Sequence, residues 1–240
     1  MNYDLIIPCH PKDYTKLEFC LNSCLEYLLP NPDNIYVVTP EKFQVEQIQC
    51  ITDDEAIPIK KEDIKYRRNN WIYQQLIKLF QDFTKHDLYL CVDSDLIFNK
   101  PIDLFKDNKP NFFISDREQE HKPYFNFMYE SYKLKKQTSY TFINDFMMFD
   151  KSICRELAPS LKPFLATCNQ LLSEDCLLSE FELYGNYVKR YHHQAYNTQN
   201  TKTEMFGKPA SQPWSKDEVL QHVQHMQNID CDLFTIHSWT

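Results

Sequence analysis

The chain has 240 residues, 42 % hydrophobic and 15 % aromatic, enough apolar material for one sizeable α/β core and too much for disorder. Its net charge of -8 repels a phosphate backbone, which sets non-specific nucleic-acid binding aside, although a bound cation can invert the field around a phosphate-bearing ligand. Only two glycines occur, Gly185 and Gly207, so neither a P-loop nor a GxGxxG dinucleotide fingerprint can be built.

In chain order, Tyr3 to Ile7 reads as a short apolar strand stopped by Pro8, with no basic region ahead of it and so unlike a signal peptide. Over 15–29, Leu17, Cys20, Leu21, Cys24, Leu25 and Leu28 recur at helical spacing, and Pro30 and Pro32 close that helix. Ile35 to Val38 is a second strand ending at Thr39-Pro40, 43–49 a short helix, and Ile57 to Ile59 a weak third strand. A helix follows over 69–83, with Trp71, Ile72, Leu76, Leu79 and Phe80 as its packing groups. Leu88 to Val92 is a continuous apolar run, the pattern of a strand buried on both faces. This alternation predicts a parallel sheet with helices on both sides, in which ligands bind beyond the carboxyl ends of the strands.

Further on, Asn111 to Ser115 and Thr141 to Phe149 read as strands, 116–140 as a loop carrying a helix, 171–184 as a helix, and 194–216 as a long loop or lid. No linker marks a second domain. No run of about 18 apolar residues exists, so no transmembrane segment is expected. The nine cysteines form no CxxC pair and read as reduced, buried thiols of a cytoplasmic protein. Cys9, His10, Cys20 and Cys24 lack zinc-finger spacing. His192-His193 and His222/His225 lack a supporting carboxylate pattern, and the latter pair reads as solvent-facing.

The central feature is LYLCVDSDLIFNKPIDLF, residues 88–105. Asp93 and Asp95 close a buried strand, and two carboxylates so near each other call for a neutralising cation. Mg²⁺ or Mn²⁺ prefers such oxygen ligands, is shared with substrate phosphates, and makes a diphosphate a better leaving group. An ordinary acidic turn is the alternative. Since glycines are lacking, a nucleotide would be held at the strand ends, at Pro8, His10, Thr39 and Ser94. In KYRRNNWIYQQLIKLF, Trp71, Gln74, Gln75 and Lys78 share one helix side, with Trp71 packing and the amides pointing at the nucleotide, while Arg67, Arg68 and Lys78 suit a diphosphate or form a solvated helix start. Asn144-Asp145 interrupts an apolar run, as a sugar-hydroxyl reader or as a tight turn. In LLSEDCLLSEFELYGNYV, Ser179 and Glu182 have capping-box form, and Gly185 reads as the helix end in a left-handed conformation. Glu180 is then the first candidate for a catalytic base, with Asp175, beside Glu174, the second.

The blocks IIPCHPKD, WIYQQLIKL, YLCVDSDLIFNKPI, FMMFDK and SEFELYGNY, in that order, resemble a small family of GT-A glycosyltransferases from bacteria and large DNA viruses, long described only as a domain of unknown function. A virally encoded rhamnosyltransferase domain is similar. The resemblance spans about residues 3–190, with the terminal HSW, and rests most on the DSD and SEFELYGNY blocks. It implies a single GT-A domain: a mixed, mainly parallel sheet flanked by helices, with 1–105 as the nucleotide-binding half and 106–240 as the acceptor and sugar half. It further implies a nucleotide-sugar donor, a UDP-sugar favoured, and a glycan or other hydroxyl acceptor. Mn²⁺ or Mg²⁺ would lie on Asp93 and Asp95 with the late His237 as a third ligand. Asn144 and Asp145 would line the sugar pocket, and Glu180 would serve as the base of an inverting transfer. Two other readings stay open: a nucleotidyltransferase, although IIPCHPKD supplies no glycine-rich basic loop, and a non-catalytic nucleotide- or glycan-binding protein of the same fold.

Overall fold

Three buried apolar strands and one half-buried edge strand make the parallel part of one five-stranded sheet. The computed structural model of the protein describes residues 1–45, 47–115, 121–209 and 211–239. Strand β1 (Asp4–Pro8) leads to α1 (Tyr14–Tyr27), the short β2 (Leu28–Leu29), β3 (Asn34–Thr39), β4 (Ile48–Thr52), the one-turn α2 (Asp53–Ala56) and α3 (Asn69–Phe80). Next come β5 (Leu88–Val92), β6 (Leu96–Phe98), the short β7 (Ile102–Asp103) and β8 (Phe105–Lys106), and β9 (Lys109–Ser115). The rest adds α4 (Lys122–Tyr132), β10 (Phe146–Asp150), α5 (Lys151–Leu157), α6 (Leu161–Leu171) and α7 (Glu180–Tyr191). The chain closes with β11 (Asn197–Thr201), β12 (Thr203–Pro209), α8 (Lys216–Met226) and β13 (Leu233–Trp239).

The central sheet runs β10-β5-β1-β3-β4. Its four inner and edge strands β5, β1, β3 and β4 are parallel, and β10 is antiparallel to β5. This is a mixed α/β domain with a mainly parallel sheet and flanking helices. Burial on both faces explains the unbroken apolar runs DLIIP and LYLCV. The one charge in them, Asp4, is fully buried and satisfied: it accepts from the backbone N–H of Lys85 (2.6 Å) and His86 (2.8 Å) and from Asn34 Nδ2 (2.7 Å). A smaller sheet, β12-β13-β6, packs α8 through Ile97, Val219, Met226, Phe234 and Ile236. Among the described residues no helix is long and apolar enough to cross a membrane. All nine cysteines are free.

Several expectations give way. The third strand is β4 at 48–52, not 57–59, and it replaces the helix expected over 43–49 (residue 46 lies outside the described residues). Its half-buried edge position masks the apolar pattern, and Thr52 with Glu55 forms a capping box that starts α2 immediately after it. The helix expected over 171–184 is two helices, because Leu171 ends α6 and Ser179 caps α7. The expected loop at 194–216 contains β11 and β12, polar strands with exposed faces, paired parallel to β9 and β13. In the 116–140 segment, α4 is the expected helix, and 116–120 lie outside the described residues. Gly185 sits inside α7 without a positive φ. Its role is close packing: a Cβ there would lie 2.3 Å from Cγ of Phe142.

Candidate functional site

A cleft of about 840 Å³ opens beyond the carboxyl ends of β1, β3 and β5. Such an edge collects loops whose polar groups are not used by the sheet. The turn after β5 presents Asp93, Ser94 and Asp95, with the N–H of Leu96 returning to the carbonyl of Asp93 (3.0 Å). The N–H of Asp93 donates to the carbonyl of Asp145 (2.9 Å), which precedes β10. Asp145 has φ 58°, a left-handed conformation that a short acidic side chain tolerates. Pairing of β13 with β6 then brings the C-terminal segment alongside, and the N–H of Ile236 donates to the carbonyl of Asp95 (2.9 Å).

That framework fixes the side chains. His237 Nδ1 lies 3.1 Å from Asp95 Oδ2, and its Nε2 lies 4.0 Å from Asp145 Oδ2, which accepts from the Thr235 hydroxyl at 2.7 Å. Lys16 of α1 is buried, 2.6 Å from Asp13 Oδ1 and 3.6 Å from Asp95 Oδ2, and donates to the carbonyl of Ile236 (2.9 Å). Lys78 of α3 is also buried, with its Nζ 2.6 Å from both Asp93 Oδ1 and Glu180 Oε1. Glu180 is the first residue of α7, and its N–H donates to Gln75 Oε1 (3.1 Å).

The floor of the cleft is acidic. Five carboxylates, those of Asp13, Asp93, Asp95, Asp145 and Glu180, stand against Lys16, Lys78 and His237, an excess of two negative charges when all are ionised. Burial pushes the Asp93 carboxyl up to about 7, with Lys78 opposing and Asp145, Glu180 and Asp95 adding to the rise. Burial also works against the Lys78 ammonium, and Asp93 and Glu180 more than offset it, holding Lys78 charged. For His237, burial is outweighed by its bond to Asp95 and by the nearby carboxylates, which bring it up to about 9. At Asp95, burial is outweighed by His237 and Lys16, and the carboxyl falls below its ordinary range. Exposed basic side chains also border the cleft, Lys12, Arg67 and Arg68, while the half-buried Lys61 of the same lining is paired with Asp53 (2.5 Å). Arg67 pairs with Glu174 (2.7 and 3.1 Å), and Arg68 lies over the Trp71 ring, 4.5 Å from its centre.

Of the residues singled out in the sequence, Pro8, His10, Arg67, Trp71, Gln75, Lys78, Asp93, Ser94, Asp95, Asp145, Glu180 and His237 all border this one cleft. Three candidates lie elsewhere. Thr39 is wholly buried with its hydroxyl 2.6 Å from that of Tyr14, and its neighbours Val38 and Pro40 face the cleft in its place. Asn144 is buried and donates to Thr201 Oγ1 (2.8 Å), so it joins the approach of β10 to β11. Asp175 is exposed and gives its carbonyl to Asn126 (2.7 Å), outside the cleft lining. Glu182 is structural: its N–H donates to the Ser179 cap, and its buried carboxylate accepts from the Thr141 hydroxyl (2.5 Å), the N–H of Phe142 (3.0 Å) and Asn186 Nδ2 (2.9 Å). Of the pair read as solvent-facing, His225 is exposed and His222 is half-buried against Phe206 and Trp214.

Lys16, Asp13 and Tyr124 are the additions. Lys16 had a legible signal, a lysine four residues before Cys20 on the apolar face of α1, where an unpaired charge would be costly. Tyr124 had none, because α4 approaches the site only in the folded chain.

The donors suit a hard divalent cation in kind, with three carboxylates and an imidazole, and the excess of two negative charges reached when all are ionised suits it in charge. Among the described residues no three His, Cys, Asp or Glu side chains surround a common point, because Asp93 is turned to Lys78 and Asp95 to His237 and Lys16. Asp93, Asp95, Asp145 and His237 are the groups that would hold such an ion. No curated protein shows significant similarity to the chain. The family of unknown function DUF6492 matches residues 1–238, and the chain belongs to that family.

Proposed function

We propose that the protein is a metal-assisted glycosyltransferase of the GT-A type, moving a sugar from a nucleotide-diphosphate donor, a UDP-sugar favoured, to a glycan or other hydroxyl acceptor. The observation that carries this reading is the placing of acids and bases in the cleft: half-buried Asp93, Asp95 and Asp145, the first two just beyond the end of a parallel strand, and exposed Lys12 and Arg68 on the same lining. Half-buried acids and exposed bases on one lining match a cation shared with a diphosphate. A divalent ion on Asp93 and Asp95 would neutralise charge growing on the leaving diphosphate. The protein's own groups do the rest. Pro8, His10 and Pro40 border the nucleotide side, where β1 and β3 end. Lys78 pairs with Glu180 at 2.6 Å and fixes it at the start of α7, and Glu180 takes the proton of the acceptor hydroxyl as that oxygen attacks the anomeric carbon.

Calorimetric titration of UDP with and without Mn²⁺ tests the reading. Binding that requires Mn²⁺ and is lost in Asp95→Ala supports it. Equal UDP affinity in that variant, or no binding by the wild type, contradicts it.

A further inference from the structure

The wall of the cleft between α3 and α4 has groups that neither metal nor diphosphate chemistry uses. Trp71 and Tyr124 bring their rings to 6.1 Å at 36°, both half-buried and both bordering the cleft. One turn on from Trp71, Gln75 is 2 % exposed and also borders the cleft. Its Oε1 is taken by the N–H of Glu180, which fixes the amide so that Nε2 is the end left over. Among the described residues Nε2 has no acceptor. A buried donor without a partner is costly, and its persistence beside a cleft marks a place where a ligand oxygen completes it. The Glu180 carboxylate stands on the same wall.

From this we infer that the Trp71–Gln75–Tyr124 wall is the acceptor subsite and that the acceptor is a glycan seated by a pyranose ring. The inference rests on the glycosyltransferase reading and extends it to the acceptor. A pyranose offers one flat face of C–H groups and a rim of hydroxyl oxygens. The aromatic pair covers the flat face, the Gln75 amide donates to a ring hydroxyl, and a neighbouring hydroxyl points at Glu180. A nucleobase is the other flat ligand an indole accepts, and its binding here is an outcome of the test.

The test is saturation-transfer NMR on the full chain with a panel of methyl glycopyranosides, alongside calorimetry with UDP and Mn²⁺. Wild type should show transfer to ring protons of at least one glycoside. Trp71→Ala, Gln75→Met and, on the other helix, Tyr124→Leu should each weaken that binding by about tenfold and leave UDP affinity within about twofold. The inference is overturned if no glycoside binds, if all three variants bind it as the wild type does, or if UDP binding is lost instead. If the glycoside binds as described but UDP with Mn²⁺ does not bind the wild type, the donor reading fails while this wall stands as a glycan site.

Discussion

The Nζ of Lys78 lies 2.6 Å from Oε1 of Glu180, so a buried ammonium joins the last turn of α3 to the first residue of α7. The same Nζ reaches Asp93 at the end of β5 at the same distance. One cation therefore sets the relative positions of the two acids that the proposed chemistry needs.

Lys78→Met leaves both carboxylates without their counter-charge. Breaking a buried pair by removing one partner costs about 3–5 kcal/mol, and the partial exposure of Asp93 places the expected loss near the lower end. The double variant Lys78→Met/Glu180→Gln should recover part of the loss. Urea unfolding of the three proteins measures this, and an unchanged midpoint in Lys78→Met would deny the pairing its structural part.

Gly185→Ala should destabilise the fold. The added methyl would meet the Phe142 ring at 2.3–2.6 Å, and overpacking of this kind costs about 1–3 kcal/mol. Combined with Phe142→Ala, the two losses should be clearly less than additive, since one substitution makes room for the other. Thermal melts of the single and double variants give the coupling.

His237 gives a pH signature in the metal-free protein. Its pKa is raised in the folded state to about 9 from an ordinary value of 6.5. A raised pKa means the His237–Asp95 pair stabilises fully below the ordinary value and that this contribution is lost as pH rises through about 9. In the presence of a chelator, the melting temperature should fall over that window, and Asp95→Asn should remove that component. NMR titration of the imidazole should place the wild-type midpoint well above that of the variant.

Much of the fold was legible because burial writes itself into sequence. LYLCV and DLIIP are continuous apolar runs since both sheet faces are covered, and the DSD that follows lands at a strand end as read. β4, β11 and β12 were not legible, because edge and polar strands bury too little to leave a pattern. At the site, residues beside the strand ends were readable from position. The place of Lys16 on the apolar face of α1 was a legible signal, but its bond to β13 and the pairing of Lys78 with Glu180 were not, since each joins segments more than a hundred residues apart in the chain. Gly185 was misread because a glycine near a helix end and a glycine under an aromatic ring look alike in sequence.

Glu180→Gln should lower turnover by about 10²–10⁴, the usual effect of losing a general base, with donor affinity little changed. The amide still bonds Lys78, so the geometry is kept while the proton acceptor is removed. NMR of the product should show inversion at the anomeric carbon in the wild type. Normal turnover in the variant, or retention in the product, would show that Glu180 is not an inverting base and make Asp145, whose Oδ2 lies 4.0 Å from His237, or the donor's own phosphate the next candidate.

The most direct measurement is release of free nucleoside diphosphate from a panel of UDP-, GDP- and dTDP-sugars in the presence of Mn²⁺. The account predicts release from at least one donor, a UDP-sugar foremost, abolished by chelator and by Asp95→Ala in protein that remains folded. No release from any donor by the wild type, or release that persists undiminished in Asp95→Ala, would contradict it.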